Sequence, residues 1–99
     1  MFVVLLTFSD RRDRAADFAD GHDAWLRRGF DDGVFLLAGA LHPAAGGAIL
    51  AHAVTRQALQ QRVQDDPFVA NDVVSAQVLE IAARRAEPRL HFLLEQARP

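Results

Sequence analysis

Four short apolar segments restrict the folds open to this chain more than any other feature of its sequence. They cover residues 2–8, 34–41, 48–54 and 73–82, and all are rich in branched or aromatic side chains, as is typical of β-strands. Between the first two segments, apolar residues recur at helical spacing from about residue 13 to about residue 30. Thr55 can cap a second helix that runs to about residue 64. The predicted order is therefore β-α-β-β-α-β.

This order is typical of the ferredoxin-like arrangement, an α+β fold with two helices on one face of a four-stranded antiparallel sheet. The first three strands are apolar on both faces, so the uncovered face would expose a large hydrophobic patch. We expect a second copy of the chain to cover it, giving a homodimer of the dimeric α+β barrel type. Residues 1–99 are expected to form one domain, with a short C-terminal helix after Pro88.

Composition excludes several classes of function. The formal net charge of -2 provides no electrostatic footprint for nucleic acid or for an anionic membrane. The chain has no cysteine, which excludes disulfides and thiolate chemistry and makes a cytoplasmic location the expectation. The apolar run at residues 2–8 is too short for a membrane span, and no basic region precedes it as in a signal peptide. No nucleic-acid or membrane partner is expected.

Of the four histidines, His22 is the one whose place on a helix the hydrophobic periodicity predicts. It lies four residues after Phe18 and four before Leu26, on the helix face that turns towards the sheet. A buried imidazole without a hydrogen bond costs about 1–3 kcal/mol, so the fold should supply an acceptor, and Asp66 is one candidate. The spacing alone allows two interpretations: a core histidine bonded to a backbone carbonyl, or a functional base.

The stretch Asp65-Asp66-Pro67-Phe68 follows the second predicted helix and also allows two interpretations. It can be a simple helix stop with two solvated carboxylates, or a turn that aims one carboxylate into a pocket. Pro67 restricts Asp66 towards an extended backbone, and Phe68 can anchor the turn in the core. The second interpretation makes Asp66 the aimed carboxylate and Asp65 its solvated neighbour.

The sequence offers few residues for metal binding, phosphate binding or nucleophilic catalysis. The four histidines lack the spacing of a metal-binding motif, no glycine-rich phosphate cradle follows a strand, and no hydroxyl lies in a nucleophile elbow, so we expect no metal and no cofactor. Ser9 at the end of the first strand and Gly39 within the second are candidates for substrate contact. A pocket beside His22 should be lined by residues of the first two strands such as Leu5, Thr7 and Leu37.

Several motifs together resemble the YciI-like (YCII-related) family of small dimeric α+β domains. The resemblance spans nearly the whole chain, and its most specific element is Asp66-Pro67-Phe68. The other matching features are the apolar first strand, His22 followed by Leu26, Phe30-Asp31-Asp32-Gly33, the strand LLAGAL at residues 36–41, and Gly46-Gly47.

The resemblance implies a catalytic pair. The helix histidine and the aspartate of the family's DPF motif correspond here to His22 and Asp66. Ala19 and Ala40 depart from the family pattern, which often has an arginine and a proline at these places; if that arginine binds a substrate anion, Arg14 is a candidate to replace it.

Imidazole titrates near pH 6.5 in reference peptides and can accept a proton near neutral pH, while an aspartate on its other nitrogen fixes the tautomer. The predicted function is cofactor-independent proton transfer, in an elimination or isomerisation, on a small molecule. The alternative is a noncatalytic module that binds a small ligand or acts as an accessory protein.

Overall fold

A computed structural model describes the backbone of residues 1–96 and the side chains of residues 1–94. The strands are β1 (Phe2–Phe8), β2 (Phe35–Leu41), β3 (Gly46–Ala51) and β4 (Val74–Glu80). The α-helices are α1 (Ala15–Asp31), α2 (Arg56–Gln64), α3 (Pro67–Ala70) and α4 (Phe92–Gln96). Single 3₁₀ turns at Arg12–Arg14 and Pro88–Leu90 precede α1 and α4. None of the helices in this described part of the chain is long and apolar enough to cross a membrane.

The strands form one antiparallel sheet in the order β2-β3-β1-β4. This order and the succession of elements confirm the predicted ferredoxin-like α+β fold. Consecutive strands β2 and β3 form a hairpin, whereas β1 and β4 are neighbours in space although they lie at opposite ends of the domain in sequence. The central pair, β1 and β3, supplies five of the seven strand residues in the core cluster: Phe2, Val4, Leu6, Ile49 and Ala51.

Alternate residues of β1 point to opposite faces of the sheet, and the two faces have different surroundings. Phe2, Val4 and Leu6 are buried in one hydrophobic cluster with residues of α1, α2 and α3. The helical residues of that cluster are Trp25, Leu59, Val63 and Phe68. Val3 and Leu5 lie on the opposite, open face and are only half-buried.

Two local features explain where elements begin. The Thr55 hydroxyl accepts a hydrogen bond from the Ala58 amide at 3.1 Å, which satisfies one of the free N–H groups at the start of α2, as predicted. Gly46 begins β3 with φ +134°, and a Cβ there would lie 1.8 Å from the Leu6 carbonyl oxygen. Only glycine lets the β2–β3 hairpin approach β1 at this point.

Some predicted boundaries are wrong. β3 begins at Gly46 instead of residue 48 and ends at Ala51, because the glycine pair joins the ladder opposite Leu6 and Thr7. The turn predicted at Asp66-Pro67-Phe68 is the start of the four-residue helix α3. Proline is accepted in the first turn of a helix, where its missing N–H is not needed.

The C-terminal segment contains the predicted short helix α4, with Leu93 buried and Phe92 packed edge-on against His52 at 5.5 Å between ring centroids. Arg89 donates hydrogen bonds to Glu87 and thereby holds the pKa of that carboxyl below its usual value. Residues 97–99, included in the predicted helical segment, lie outside the described residues.

Candidate functional site

The packing of α1 against α3 brings His22 and Asp66 together across 44 positions of sequence. The Nδ1 atom of His22 lies 2.8 Å from Oδ1 of Asp66, so the predicted hydrogen bond is present. A carboxylate can only accept, which means that Nδ1 carries the hydrogen and donates it. The tautomer of the neutral ring then leaves the lone pair on Nε2.

Asp66 is held by its own position in the chain as well as by His22. Its backbone is extended, with φ -64° and ψ 123°, as predicted for a residue before proline. It is the N-cap of α3, and Oδ1 also accepts a hydrogen bond from the Phe68 amide at 3.1 Å. Asp66 is fully buried while Asp65 is exposed, which matches the predicted division between an aimed carboxylate and a solvated neighbour.

The imidazole of His22 is also held by the ring of Phe68, which belongs to the same Asp66-Pro67-Phe68 motif. The ring of Phe68 stacks on His22 with centroids 4.1 Å apart and planes 7° apart. α1 can approach α3 this closely because the residue before the histidine is Gly21, where a Cβ would lie 3.0 Å from Cγ of Pro67. Stacking and the hydrogen bond together restrict the ring plane and its direction.

The second oxygen of Asp66 makes the pair electrostatically unusual. Oδ2 is buried and has no hydrogen-bond partner among the described residues. The only basic side chain bonded to the Asp66 carboxylate in the described part of the chain is His22, which contacts Oδ1.

The other ring nitrogen, Nε2, makes no hydrogen bond to any residue in the described range, and 19% of the His22 side chain is exposed. His22 is part of the wall of a cleft of about 290 Å³ between helices α1 and α3 and the sheet, which we call the His22 cleft. Its other lining residues are Leu6, Phe8, Leu26, Ala38, Gly39, Ala40, Gly46, Gly47, Ala48, Ile49, Phe68 and Val74. A ligand in the His22 cleft would therefore contact the imidazole of His22.

The strand residues predicted to line this cleft are wrong by one position. Leu5 and Thr7 lie on the open face of the sheet, and Leu37 is paired with Leu50 on that same face. Their neighbours Leu6, Phe8 and Ala38 line the cleft instead. One signal was available: Thr7 is the single polar residue of β1, and its odd position marks the odd-numbered face as the less buried one.

The predicted substrate-binding residues are not gathered together. Gly39 lines the His22 cleft. The Ser9 hydroxyl faces the Asp72 and Val73 carbonyls as a donor and accepts from the Arg11 amide at 3.0 Å, so it ties the end of β1 to the segment before β4. Arg14 is exposed and pairs with Asp17 at 2.9 Å. Neither Ser9 nor Arg14 lines the cleft, and the ligand roles of all three residues remain predictions.

Metal ligation has no candidate in the described residues. No three histidine, aspartate or glutamate side chains there are grouped so that they could hold a metal ion. Gly21 and the small residues Ala38 and Ala40 were not predicted as parts of the site. Their contribution is the space that they leave, which the sequence signals only through small side chains beside the histidine and within a strand.

Comparison with known proteins bears on the whole domain rather than on these residues. A comparison with curated proteins gives no match. The family model of the YCII-related domain matches residues 1–82, a range that contains the complete sheet, helices α1 to α3, and both members of the His22–Asp66 pair. The chain therefore belongs to the YCII-related domain family.

Proposed function

We propose that this protein is a small cofactor-independent enzyme that transfers a proton in an elimination or isomerisation of a small molecule bound in the His22 cleft. One observation carries the proposal: Nδ1 of His22 is bonded at 2.8 Å to a fully buried Asp66 while the ring itself lines the cleft. A base is effective when its geometry is set before the substrate arrives, and this ring is set by both a hydrogen bond and a stack.

In this mechanism Nε2 removes a proton from a carbon or heteroatom of the ligand. The imidazole becomes positively charged, and Asp66 stabilises that charge through the hydrogen bond from Nδ1 without taking the proton itself. The walls formed by Leu6, Leu26 and Phe68 restrict water around the reacting atoms. In an isomerisation the electron pair left by the proton shifts along the ligand, and His22 returns the proton to another position. In an elimination that electron pair forms a double bond as the leaving group departs with its own bonding electrons, and His22 releases the proton to solvent.

A noncatalytic ligand-binding module is the second candidate. The observation that favours it is that His22 is the one titratable side chain among the lining residues in the described part of the chain. Many proton-transfer sites place a separate acid opposite the base. A binding module needs only the apolar walls and one polar group to orient its ligand.

A homodimer is part of the proposal. The strand register places Leu37, Leu50, Val3 and Leu79 in one row across the open face, and Leu37 and Leu79 are 55% and 41% exposed. The two rows beside it are Gly39, Ala48, Leu5 and Gln77, and Leu41, Gly46, Thr7 and Ser75. None of these side chains is charged. An isologous contact between two such faces would bury the apolar row.

The function is testable without a natural substrate. The compound 5-nitrobenzisoxazole opens when a base removes its ring carbon–hydrogen proton, because the electron pair forms a nitrile as the nitrogen–oxygen bond breaks, and the product is a coloured cyanonitrophenolate. We expect saturable ring opening about 10²-fold faster than with an equal concentration of free imidazole. His22→Gln should remove this rate, and Asp66→Asn should reduce it.

His91→Gln is the matched control, because His91 is exposed and lies outside the cleft. This variant should keep the wild-type rate. Equal rates for wild type and His22→Gln would contradict the proposed function.

A further inference from the structure

The lining of the His22 cleft carries information about the ligand beyond the reaction. Of its thirteen lining residues, nine have apolar or aromatic side chains, counting the methyl groups of alanine, three are glycines, and the last is His22. No arginine lines it in the described part of the chain. His22 is the one side chain there that can form a hydrogen bond with a ligand through a polar atom.

The cleft is small. Its volume of about 290 Å³ is roughly twice that of an engineered cavity of about 150 Å³ that holds benzene. The floor below the helices is formed where Ala38 and Ala40 of β2 pair with Ile49 and Gly47 of β3. Side chains of one carbon or none at three of these four positions create the space. A ligand of about ten non-hydrogen atoms fits such a volume.

The charge of the pair argues against an anionic ligand. A neutral His22 with an ionised Asp66 has a net charge of about -1, and an imidazolium with the same carboxylate has none. In the neutral state the pair therefore does not attract an anion, and in the imidazolium state the Asp66 carboxylate, 2.8 Å from Nδ1, offsets the charge of the ring. Arg12 packs its guanidinium 4.7 Å from the centroid of the Phe8 ring and donates to the Ala44 carbonyl, so it lies behind a lining residue and is not itself part of the wall.

We propose that the His22 cleft selects a small, uncharged, largely apolar molecule that carries one hydrogen-bond donor or weakly acidic group for Nε2 of His22. This inference rests on the proposed function for the role of Nε2, and it adds the class of ligand. A charged group would lose its hydration on entering the apolar walls and would find no opposite charge there. A neutral molecule with one donor loses little and gains a bond to Nε2.

Two probes of the same shape test whether the cleft prefers a neutral ligand to an anionic one. The probes 4-methylbenzamide and 4-methylbenzoate have the same shape, but only the first is neutral at pH 7 and has a hydrogen-bond donor. Titration of each into ¹⁵N-labelled protein, followed through the backbone amides of Gly39 and Gly47, should give a dissociation constant at least tenfold lower for the amide.

The site of binding is tested by filling the cleft. Ala40→Leu adds bulk at an exposed position facing the floor and should weaken binding of the amide at least tenfold, with Ala38→Leu as a second variant if the first perturbs the spectrum of the whole domain. The matched control is Ala58→Leu, on the exposed surface of α2 away from the cleft, which should bind as the wild type does.

Three results would overturn the inference: no response of the cleft amides to either probe, an unchanged affinity in both filling variants, or the benzoate binding as tightly as the amide. In the last case, loss of benzoate binding on Arg12→Ala would assign an anionic ligand held by Arg12. A failure of the proposed function gives a different combination of results. Selective amide binding with ring opening of 5-nitrobenzisoxazole unaffected by His22→Gln would leave the ligand class standing and remove the proton transfer.

Discussion

The two faces of the sheet are built from the same strands, but one is covered by the helices and the other is open. On the helix-covered face, Leu6 is buried in the core and borders the cleft. Asp66 is buried on the same side of the sheet and accepts hydrogen bonds from His22 and from the Phe68 amide. On the open face, Leu5 belongs to an uncharged surface with exposed leucines at both edges. One residue of displacement along β1 thus separates the proposed site from the proposed dimer contact.

The comparison shows why β1 is apolar throughout. A strand with one face in water would alternate between apolar and polar residues, whereas a strand covered on both faces does not. The helices satisfy one side of this pattern within the described residues, and a second copy would satisfy the other. Each set of side chains can therefore be perturbed with little direct effect on the other.

Truncation of the covered face should have the largest effect. Leu6→Ala removes a buried side chain from the core and should lower the free energy of unfolding by about 2–5 kcal/mol. Leu5→Ala, one position along the strand, should cost less at low protein concentration, and its cost should grow as concentration rises because it removes dimer contacts. Denaturant unfolding at two concentrations measures both. Equal, concentration-independent losses would show that the faces are not distinct.

A charge on the open face should disrupt association. Leu37→Asp places a carboxylate in the apolar row and should raise the dimer dissociation constant at least a hundredfold, which corresponds to about 2.8 kcal/mol. Sedimentation velocity reports the change. Ala58→Asp, on the exposed surface of α2, is the control and should leave the dimer intact. A wild-type protein that is monomeric at micromolar concentration would contradict the dimer.

Within the covered face, Asp66→Asn should cost about 1–3 kcal/mol of unfolding free energy. The substitution removes a buried charge that accepts two N–H bonds and leaves an amide group without an acceptor among the described residues. Asp65→Asn is the matched control and should stay within about 0.5 kcal/mol because Asp65 is exposed. Thermal or chemical unfolding measures the difference. A loss no larger than that of the control would mean that the Asp66 carboxylate does not hold the site together.

The smallest effect on stability is expected for His22→Asn. The asparagine amide nitrogen can take the place of Nδ1 and donate to Asp66, so the free energy of unfolding should change by no more than about 1 kcal/mol. His91→Asn provides the exposed comparison. A double-mutant cycle with Asp66→Asn should give a coupling energy of at least about 0.5 kcal/mol. A large loss for His22→Asn without coupling to Asp66 would contradict the pair.

The residues alone were sufficient for the order of elements and for the fold class. Hydrophobic periodicity distinguishes strands from helices, and the α+β order leaves few ways to cover the sheet. The cap at Thr55 and the extended backbone of Asp66 also followed from local chemistry, because a hydroxyl at a helix start and a residue before proline have few alternatives. Helical spacing and the Asp66-Pro67-Phe68 motif also predict the pairing of His22 with Asp66, and the catalytic roles of the two residues remain a prediction.

Tertiary structure decided which side chains meet. His22 and Asp66 are 44 residues apart and are joined where α1 packs on α3, with Gly21 in close contact with Pro67. Such a contact depends on how two helices pack, which no local pattern encodes. Tertiary structure also decided whether the odd-numbered or the even-numbered residues of β1 face the helices. A strand that is apolar on both faces satisfies either orientation locally, so the helices that cover one face determined that Leu6 rather than Leu5 borders the cleft.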